Sequence, residues 1–358
     1  MISYRKKQGD FKGVNMKVLG IETSCDETAA ALVENGEKIL SNVVASSQEL
    51  HKKTGGIIPE VAAREQIRCV IPVIEEAIGK TPQAASEIDA LAVTVGPGLI
   101  GSLLVGVETA KTLAFVWQKP IIPINHLLGH IYANWLSTNT PSFPFITLVV
   151  SGGHTDLVLI KNHGDVQWVG GTRDDAAGEC FDKCARLLGL GYPGGPAIAT
   201  EAAKLKIKNL KFKIKLPRPM IDESNFDFSF SGLKTAVLRE VQNLQNKKQF
   251  NKETIVGLSY EIQEAIADVL VAKTLKAAEK FKVKSILLAG GVSANSRLRE
   301  RFNQQLAISN QQFQFWCPPP KLCTDNAAYI ATCAFFNYKP VPWQRITPLP
   351  NLSIVGEA

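Results

Sequence analysis

The chain has 358 residues, of which 45% are hydrophobic and 20% are charged, and its formal net charge is +7. This length exceeds the usual size of one hydrophobic core, so two domains are expected, with the composition of a soluble globular enzyme. No apolar run reaches the roughly 18 residues that a membrane span requires, and the seven cysteines show no CxxC spacing, which argues against a membrane protein and a disulfide framework. These features predict a cytoplasmic protein.

Residues 1–16 precede the first predicted strand. They include Arg5, Lys6, Lys7 and Lys12 but no apolar block, so they do not form a secretory signal. A weak organellar transit segment is one alternative, but we expect a disordered leader or an alternative start at Met16.

The first third of the chain predicts one α/β unit. Strands are expected where short apolar runs are bounded by turn residues, and a helix where Pro59 opens an amphipathic stretch. The predicted strands are 17–21, 28–33, 38–44 and 90–95, and the predicted helices are 59–78 and 99–117. The apolar stripe of the helix at 59–78 is expected to comprise Val61, Ala62, Ile67, Ile71, Ile74 and Ile78.

The same order of elements then starts again. The predicted strands are 145–150, 157–161 and 285–289, and the predicted helices are 176–188, 255–281 and 326–336. Each half begins with strands around a polar or glycine-bearing turn, at 21–28 in the first half and at 150–155 in the second. This repetition predicts two related lobes with a ligand cleft between them.

Lysines alternate with apolar residues from Lys204 to Lys215. Such alternation is typical of a strand with one apolar and one cationic face. A cationic face of this kind suits a phosphate backbone, although lysines on an edge strand also serve to prevent aggregation.

Two of the five histidines, His126 and His130, lie four residues apart in a segment that is predicted to be helical, residues 125–135. That spacing places both imidazoles on one face, as a divalent metal requires of its first two ligands. The alternative is a hydrogen-bonded, partly buried histidine pair. Zinc proteases carry His-Glu-x-x-His, but Leu127 stands where the catalytic glutamate is needed.

A third metal ligand has to come from another part of the chain. Asp325 is a candidate because it is an acid at the entrance of a predicted helix. An acid at that position is equally typical of a helix N-cap.

Two glycine-bearing loops have the chemistry of a nucleotide site. In Ser151-Gly152-Gly153 the glycines allow the backbone to approach a phosphate, while N–H groups and the hydroxyl donate to it. After a buried strand, Gly290-Gly291 leads to Asn295, whose amide can bind a base or a sugar. A plain hairpin turn and simple strand–helix packing are the respective alternatives.

An acidic segment precedes the predicted helix at 176–188. Asp174 and Asp175 are expected to cap that helix, whereas Asp182 lies inside it, where capping does not explain an acid. Residues 192–196, Tyr-Pro-Gly-Gly-Pro, predict a rigid turn that can approach a ribose. Neither a Walker A motif nor a GxGxxG follows a strand, so P-loop and Rossmann folds have little support.

Ten segments in order resemble one known family. They are GIETSCDETAAA, GGIIPEVAARE, VTVGPGLIGSLLVG, NHLLGH, SGGHTDL, DDAAGECFDK, YPGGP, FSFSGLKTAV, GGVSANSRLR and CTDNAAYIA. The chain thereby resembles the TsaD/Gcp family, the Kae-type proteins of tRNA threonylcarbamoyladenosine synthesis that were formerly called O-sialoglycoprotein endopeptidases. Many relatives have histidine where this chain has Gln66.

The resemblance implies an α/β fold of two RNase H-like lobes of the actin/Hsp70/sugar-kinase (ASKHA) class, with an interlobe cleft. The N-terminal lobe is expected to comprise 17–125 together with the C-terminal helix region 323–345, and the C-terminal lobe 126–322.

The resemblance also implies the site residues. A divalent metal, Fe2+ or Zn2+, would bind to His126, His130 and Asp325. The adenine nucleotide, threonylcarbamoyl-AMP or ATP/ADP, would meet a set of residues in the second half of the chain: Val149, Val150, Ser151, Gly152, Gly153, Asp182, Gly195 and Asn295.

The implied reaction is transfer of the threonylcarbamoyl group from threonylcarbamoyl-AMP to N6 of the adenosine 3′ of the anticodon, in tRNAs that read ANN codons. We expect Asp26 or Glu27 to accept the N6 proton. The implied partners are tRNA, a TsaB-like paralogue and a TsaE-like ATPase, with no membrane. Two rival functions are a glycoprotein metalloprotease and a non-catalytic, ATP-dependent scaffold of the Hsp70 type.

Overall fold

The computed structural model describes residues 15–52, 56–79, 84–137, 139–207, 214–309 and 312–356. The chain divides into two units. The first contains the described residues up to Thr140 and those from Thr324 onward, and the second runs from Pro141 to Cys323.

The first unit is built on a five-stranded sheet in the order β3-β2-β1-β4-β5. Strands β1 to β3 form an antiparallel meander, whereas β1, β4 and β5 run parallel to one another. The strands are β1 Lys17–Glu22, β2 Glu27–Glu34, β3 Lys38–Ser46, β4 Ala90–Gly96 and β5 Ile121–Asn125. The helices of this unit are α1 Gln48–Lys52, α2 Pro59–Ile78, α3 Ile100–Trp117, α4 His126–Tyr132 and α10 Ala328–Phe336.

The second unit repeats this topology. Its sheet has the order β8-β7-β6-β9-β10, with an antiparallel meander from β6 to β8 and parallel pairing of β6, β9 and β10. The strands are β6 Phe145–Val150, β7 Thr155–Asn162, β8 Asp165–Gly171, β9 Ser285–Ala289 and β10 Gln314–Trp316. The helices are α5 Ala177–Leu187, α6 Gly194–Ile207, α7 Ser231–Asn246, α8 Lys252–Phe281 and α9 Ser296–Ile308. The duplication predicted from sequence is confirmed, and the repeated strand order agrees with the two RNase H-like lobes that the resemblance implies.

The division between the units falls after Thr140, whereas the sequence placed it after residue 125. Helix α4 explains the difference, because it continues directly from β5 and packs against α10 of the first unit. The C-terminal segment also stays with this unit: Leu349 N–H donates to Val95 O at 2.6 Å, and Asn125 Nδ2 donates to Ser353 O at 2.8 Å.

The predicted apolar stripe of α2 is wrong at two positions. Ile67 and Ile71 are 65% and 48% exposed. The buried face instead comprises Ala62, Gln66, Val70, Val73, Ile74 and Ala77. The prediction assumed that the apolar residues of α2 form its buried face. In the structure the polar Gln66 takes a core position and two isoleucines face outward.

The lysine-rich strand was predicted wrongly in its described part. Residues 204–207 belong to helix α6, which begins at Gly194 within the predicted rigid turn. Alanines at 197, 199, 202 and 203 favour helix, and Lys204 pairs with Glu201 one turn earlier. Residues 208–213 lie outside the described residues.

Among the described residues, α3 alone is long and apolar enough to cross a membrane, by length and composition. One face of α3 is part of the first unit's core, since Leu103, Val107 and Ala110 are fully buried. Its exposed Glu108 pairs with Lys111 at 2.8 Å. These contacts are those of a helix packed on a sheet.

Candidate functional site

Three parallel strands of the first unit end at the same edge of the sheet and carry polar side chains there. Glu22 is the last residue of β1, Thr94 lies near the end of β4, and His126 follows β5 directly. Parallel pairing of these strands brings their carboxyl ends together. The three side chains form one hydrogen-bonded group at this edge.

The predicted metal ligands lie together at the same edge. One ligand atom from each of His126, His130 and Asp325 can be chosen so that all three lie within 4.8 Å of one another. Nε2 of His130 is 3.2 Å and Nε2 of His126 is 3.7 Å from Asp325 Oδ1. Successive turns of α4 supply the two histidines, and the segment that precedes α10 supplies the aspartate.

Asp325 is not the cap of α10. The N-cap is Ala327, and Oδ1 of the neighbouring Asn326 accepts from Ala328 N–H at 3.1 Å. The Asp325 carboxylate instead faces the histidines and accepts from the Tyr329 hydroxyl at 3.4 Å. Of the two roles that the sequence left open, the geometry favours the ligand.

Glu22 orients His126, a role that the sequence analysis missed. The carboxyl group is fully buried, and its Oε2 lies 3.0 Å from His126 Nδ1 and accepts from Thr94 Oγ1 at 2.6 Å. Its Oε1 accepts from Ser24 N–H at 2.5 Å. A carboxylate that holds Nδ1–H leaves Nε2 free for a metal ion and increases its basicity. An acid at the end of a buried strand was the available signal.

The charges around the two histidines act differently on them. Burial opposes protonation of His126, but the charges of Glu22 and Asp325 outweigh it and raise the pKa of this residue to about 9. Burial and the neighbouring charge of His126 lower the pKa of His130. Burial also opposes ionisation of Asp325, yet both histidines hold its pKa below the usual range.

The donor set suits a divalent transition metal. Two imidazole nitrogens and one carboxylate oxygen are ligands typical of Zn2+ and Fe2+, and a three-residue set leaves coordination positions open for a substrate. The outer partner of His126 is already in place as Glu22. The residues present therefore fit the metal that the sequence predicts.

Residues 23–27, which connect β1 to β2 and include the first residue of β2, form what we call the acidic loop because of Asp26 and Glu27. Ser46 Oγ donates to Glu27 Oε1 at 3.1 Å. Burial, the charge of Asp325 and the contact with Asp26 raise the pKa of Glu27 to about 10. These causes favour the protonated form of Glu27 in the metal-free protein.

The predicted nucleotide residues lie at the corresponding edge of the second unit. Strands β6 and β9 are parallel and pair at Val149 and Ala289, so the loops that follow them begin side by side. Gly290 has φ +86°, and a Cβ there would lie 2.5 Å from Val150 O. Only glycine allows this close approach of the two loops.

Helices α5 and α6 begin at the same edge. Gly178 N–H donates to Ser151 O at 3.2 Å, which places the start of α5 against the loop that follows β6. Asp182 Oδ1 accepts from Gly194 N–H at 2.6 Å, which fixes the start of α6 beside Asp182. A Cβ at Gly152, Gly153 or Gly195 would meet no atom within 4 Å. The backbone at these three glycines is therefore accessible to a ligand.

Asn295 has a structural role in addition to its predicted one. Its Oδ1 accepts from Leu298 N–H at 3.0 Å as the N-cap of α9, and its Nδ2 donates to Gln263 Oε1 at 3.1 Å. Both ends of the amide are thus held in place. A ligand would meet an oriented Asn295 and would compete for its remaining hydrogen-bonding capacity.

Asp174 caps a different helix from the one predicted. Its carboxylate accepts from Phe230 N–H at 2.7 Å and from both N–H and Oγ of Ser231, at the start of α7. Helix α5 begins without a side-chain cap at Ala176, and Thr155 Oγ1 accepts from Ala177 N–H. The acid is close to α5 in sequence but folds back onto α7.

Known proteins resemble the chain over most of its length. The family model described as TsaD, tRNA N6-adenosine threonylcarbamoyltransferase, matches residues 38–332. The chain belongs to the TsaD family. A relative from Thermomicrobium roseum named tRNA N6-adenosine threonylcarbamoyltransferase is 49% identical over 344 residues, which covers 90% of this chain and 92% of the relative. A relative from Syntrophomonas wolfei with the same name is 50% identical over 321 residues, with coverage of 90% and 92%.

A solved structure supports the fold. Component A of the (R)-2-hydroxyglutaryl-CoA dehydratase of Acidaminococcus fermentans aligns with a TM-score of 0.51 at 15% identity, over 89% of this chain and 98% of that protein. At this identity the likeness concerns the fold alone. Together with the repeated strand order, it confirms the predicted α/β fold with two lobes of the same topology for this member of the TsaD family.

Proposed function

We propose that the chain is a tRNA N6-adenosine threonylcarbamoyltransferase. It transfers the threonylcarbamoyl group of threonylcarbamoyl-AMP to N6 of the adenosine 3′ of the anticodon, in tRNAs that read ANN codons. The observation that carries the proposal is the group of His126, His130 and Asp325, oriented through Glu22, in a chain of the TsaD family. Such a site can bind the threonyl carboxylate or hydroxyl of the acyl donor.

The reaction is acyl transfer to a weak nucleophile, because the lone pair of the exocyclic N6 is delocalised into the adenine ring. A bond forms between N6 and the carbamoyl carbon, and the bond from that carbon to the phosphate oxygen breaks. AMP leaves with the electron pair, and N6 loses a proton. Lowering of the barrier has to come mainly from positioning and from stabilisation of charge at the carbamoyl oxygen.

His126, His130 and Asp325 would hold one Fe2+ or Zn2+ ion. When bound, that ion supplies positive charge for the threonyl carboxylate or hydroxyl and so orients the carbonyl group. Glu22 keeps the His126 ring in the required tautomer.

We assign to Asp26 the role of accepting the proton that N6 loses. Glu27 is the weaker acceptor of the two, since burial and its contact with Asp26 favour its protonated form. A protonated neighbour donates a hydrogen bond to Asp26 while Asp26 acts as the base. Of the two acceptors expected from sequence, Asp26 and Glu27, we therefore propose Asp26.

The AMP portion is assigned to the second unit. The accessible backbone at Gly152 and Gly153 suits the phosphate, because N–H groups in such loops donate to anions. Val149, Val150 and Ser151 support that loop, whereas Asp182, Gly195 and Asn295 are assigned to the sugar and base. ATP or ADP would use the same contacts.

The metalloprotease alternative has less support. Leu127 stands where His-Glu-x-x-His proteases have their glutamate. The carboxylate of Glu22 is already hydrogen-bonded to His126, Ser24 and Thr94, so it does not replace that glutamate as a base. The scaffold alternative rests on the fold alone, which many unrelated functions share.

We place the protein in the cytoplasm, with tRNA as its macromolecular substrate. A TsaB-like paralogue would dock on helices α2 and α3, which pack together where Gly101 faces Ala63. Each helix presents a pair of exposed apolar residues four positions apart: Ile67, Ile71, Ile100 and Leu104. Exposed apolar patches of this kind mark protein interfaces. A TsaE-like ATPase would act on the resulting complex.

The direct test is transfer in vitro. Purified protein, with a TsaB-like paralogue if required, is mixed with threonylcarbamoyl-AMP and unmodified tRNA, and the nucleosides are analysed by mass spectrometry with and without a chelator. We expect threonylcarbamoyladenosine only in the sample without chelator. Cleavage of a glycoprotein by the same preparation, without tRNA product, would instead support the protease alternative.

A further inference from the structure

Gln66 is a polar residue on an otherwise apolar buried face. It is 1% exposed, and the other buried residues of α2 are alanine, valine or isoleucine. A glutamine in such a place requires hydrogen-bond partners, because an unpaired amide in a core is destabilising. Its partners therefore indicate why it is there.

The amide nitrogen of Gln66 contacts three main-chain carbonyl oxygens of the acidic loop. Nε2 lies 3.3 Å from Thr23 O, 3.0 Å from Cys25 O and 3.1 Å from Glu27 O. Two N–H groups serve three acceptors, so at least one hydrogen bond is shared. The orientation of the amide follows from these contacts, since a flipped amide would place Oε1 against three carbonyl oxygens.

Every carbonyl of the acidic loop has a donor from outside it. Leu99 N–H donates to Ser24 O at 2.8 Å, and both N–H and Oγ of Ser47 donate to Asp26 O at 3.1 and 2.8 Å. Ser102 Oγ adds a second donor to Cys25 O at 3.1 Å. Gln66 is thus the side chain that joins both ends of the loop and its centre.

The arrangement involves an unsatisfied group. Gln66 Oε1 is buried and has no hydrogen-bond partner among the described residues. A buried acceptor without a partner is destabilising. The amide is therefore placed for its three contacts on the loop, at the expense of its own oxygen.

We propose that Gln66 is a positioning residue that fixes the acidic loop and thereby the side chains of Asp26 and Glu27. The proposal rests on the assignment of the proton-accepting role to this loop. Gln66 itself touches main-chain atoms, so its effect on the reaction passes through the backbone of residues 23–27. Loss of its N–H groups removes the Gln66 Nε2 donor from Thr23 O and from Glu27 O, and the loop is then free to shift.

The test compares Gln66→Met with Val70→Ala. Methionine is close to glutamine in size and its side chain has no N–H, whereas Val70→Ala removes buried apolar atoms one helical turn away and leaves the Gln66 amide in place. We expect a fall in kcat of about 100-fold for Gln66→Met, typical of misplaced reacting groups. KM and the bound metal per chain should be unchanged in both variants, and kcat should be nearly native in Val70→Ala.

Hydrogen exchange provides a readout that does not depend on the reaction. In Gln66→Met the amides of residues 23–28 should exchange faster than in the native protein, while Val70→Ala leaves them protected. Equal kcat in both variants, or unchanged exchange in the loop, would overturn the proposal. If the native protein shows no transfer, the proposed function fails, but the exchange comparison still decides the role of Gln66.

A second variant at the same position tests the proposal if Gln66→Met does not fold. Gln66→His keeps one ring N–H in the same region and should show intermediate exchange and an intermediate kcat. Native exchange and native kcat in a variant with a single donor would show that the three contacts are dispensable.

Discussion

Glu22 is the residue on which the predicted metal site depends most without being a ligand. It joins β1, β4 and α4 through Thr94 and His126. The sequence suggested the histidine pair, because His126 and His130 are four residues apart in a predicted helix, and the family resemblance added Asp325. It did not reveal Glu22, since a register between three strands decides which polar side chains meet.

Replacement of Glu22 by glutamine should weaken metal binding. The amide no longer offers a charged acceptor to His126 Nδ1–H, and changes in such outer partners typically reduce metal affinity by about 10- to 100-fold. Thr94→Val is the matched control, because it removes one donor to Glu22 but keeps the charge. Titration of the apo protein with Zn2+ measures both. Equal affinities for Glu22→Gln and the native protein would contradict the proposed orientation of His126.

Metal affinity should also depend on pH. His126 has a pKa of about 9 without metal, so below that value a proton must leave before Nε2 can bind the ion. The affinity should therefore rise with pH and fall by about tenfold for each unit of pH below 9, because one proton is released. In Glu22→Gln the dependence should move to lower pH, since a charge that raises the pKa is lost. A flat profile between pH 6 and pH 8 in the native protein would contradict this account.

At the scale of secondary structure, the residue pattern predicted some elements, and others became visible only in the fold. The sequence identified α2 and α8, but missed β5, β8, β10, α6 and α7. Strand β10 has only three residues, Gln314–Trp316, and it forms through pairing with β9. Elements of this kind depend on tertiary partners more than on their own residue pattern.

The glycines of the second unit allow the structural and ligand-binding roles to be separated. Gly290→Ala places a Cβ 2.5 Å from Val150 O at positive φ, so it should reduce the free energy of unfolding by about 1–3 kcal/mol. Gly152→Ala meets no atom within 4 Å and should leave stability nearly unchanged. If the phosphate lies on this loop, Gly152→Ala should raise KM for threonylcarbamoyl-AMP several-fold. Denaturant unfolding and steady-state kinetics test the two variants. A native KM for Gly152→Ala would show that the phosphate does not bind to this loop.

At the scale of the whole molecule, the duplication was visible in the sequence because each half begins with strands around a polar turn. The boundary was not, since α4 follows β5 without a linker and packs on α10, which comes from the other end of the chain. A division that depends on contacts between distant segments cannot be read from local composition.

Association with a TsaB-like paralogue should depend on the exposed apolar face of α2. Ile71→Lys introduces a charge into that face and should weaken the complex by more than tenfold, because an unpaired charge would be buried there. Glu76→Lys, an exposed position on a different side of the helix from Ile67 and Ile71, is the control for charge. Analytical ultracentrifugation of the mixed proteins measures both, and native association of Ile71→Lys would place the interface elsewhere.

We expect the metal group of His126, His130 and Asp325 to be essential for threonylcarbamoyl transfer. The most direct measurement is the rate at which a His126→Ala, His130→Ala double variant forms threonylcarbamoyladenosine in tRNA, compared with the native protein and with His163→Ala on the β7–β8 turn. We expect the double variant to keep its fold by circular dichroism, to bind no metal and to form no modified nucleoside, while His163→Ala remains active. Native activity in a folded double variant would contradict the account.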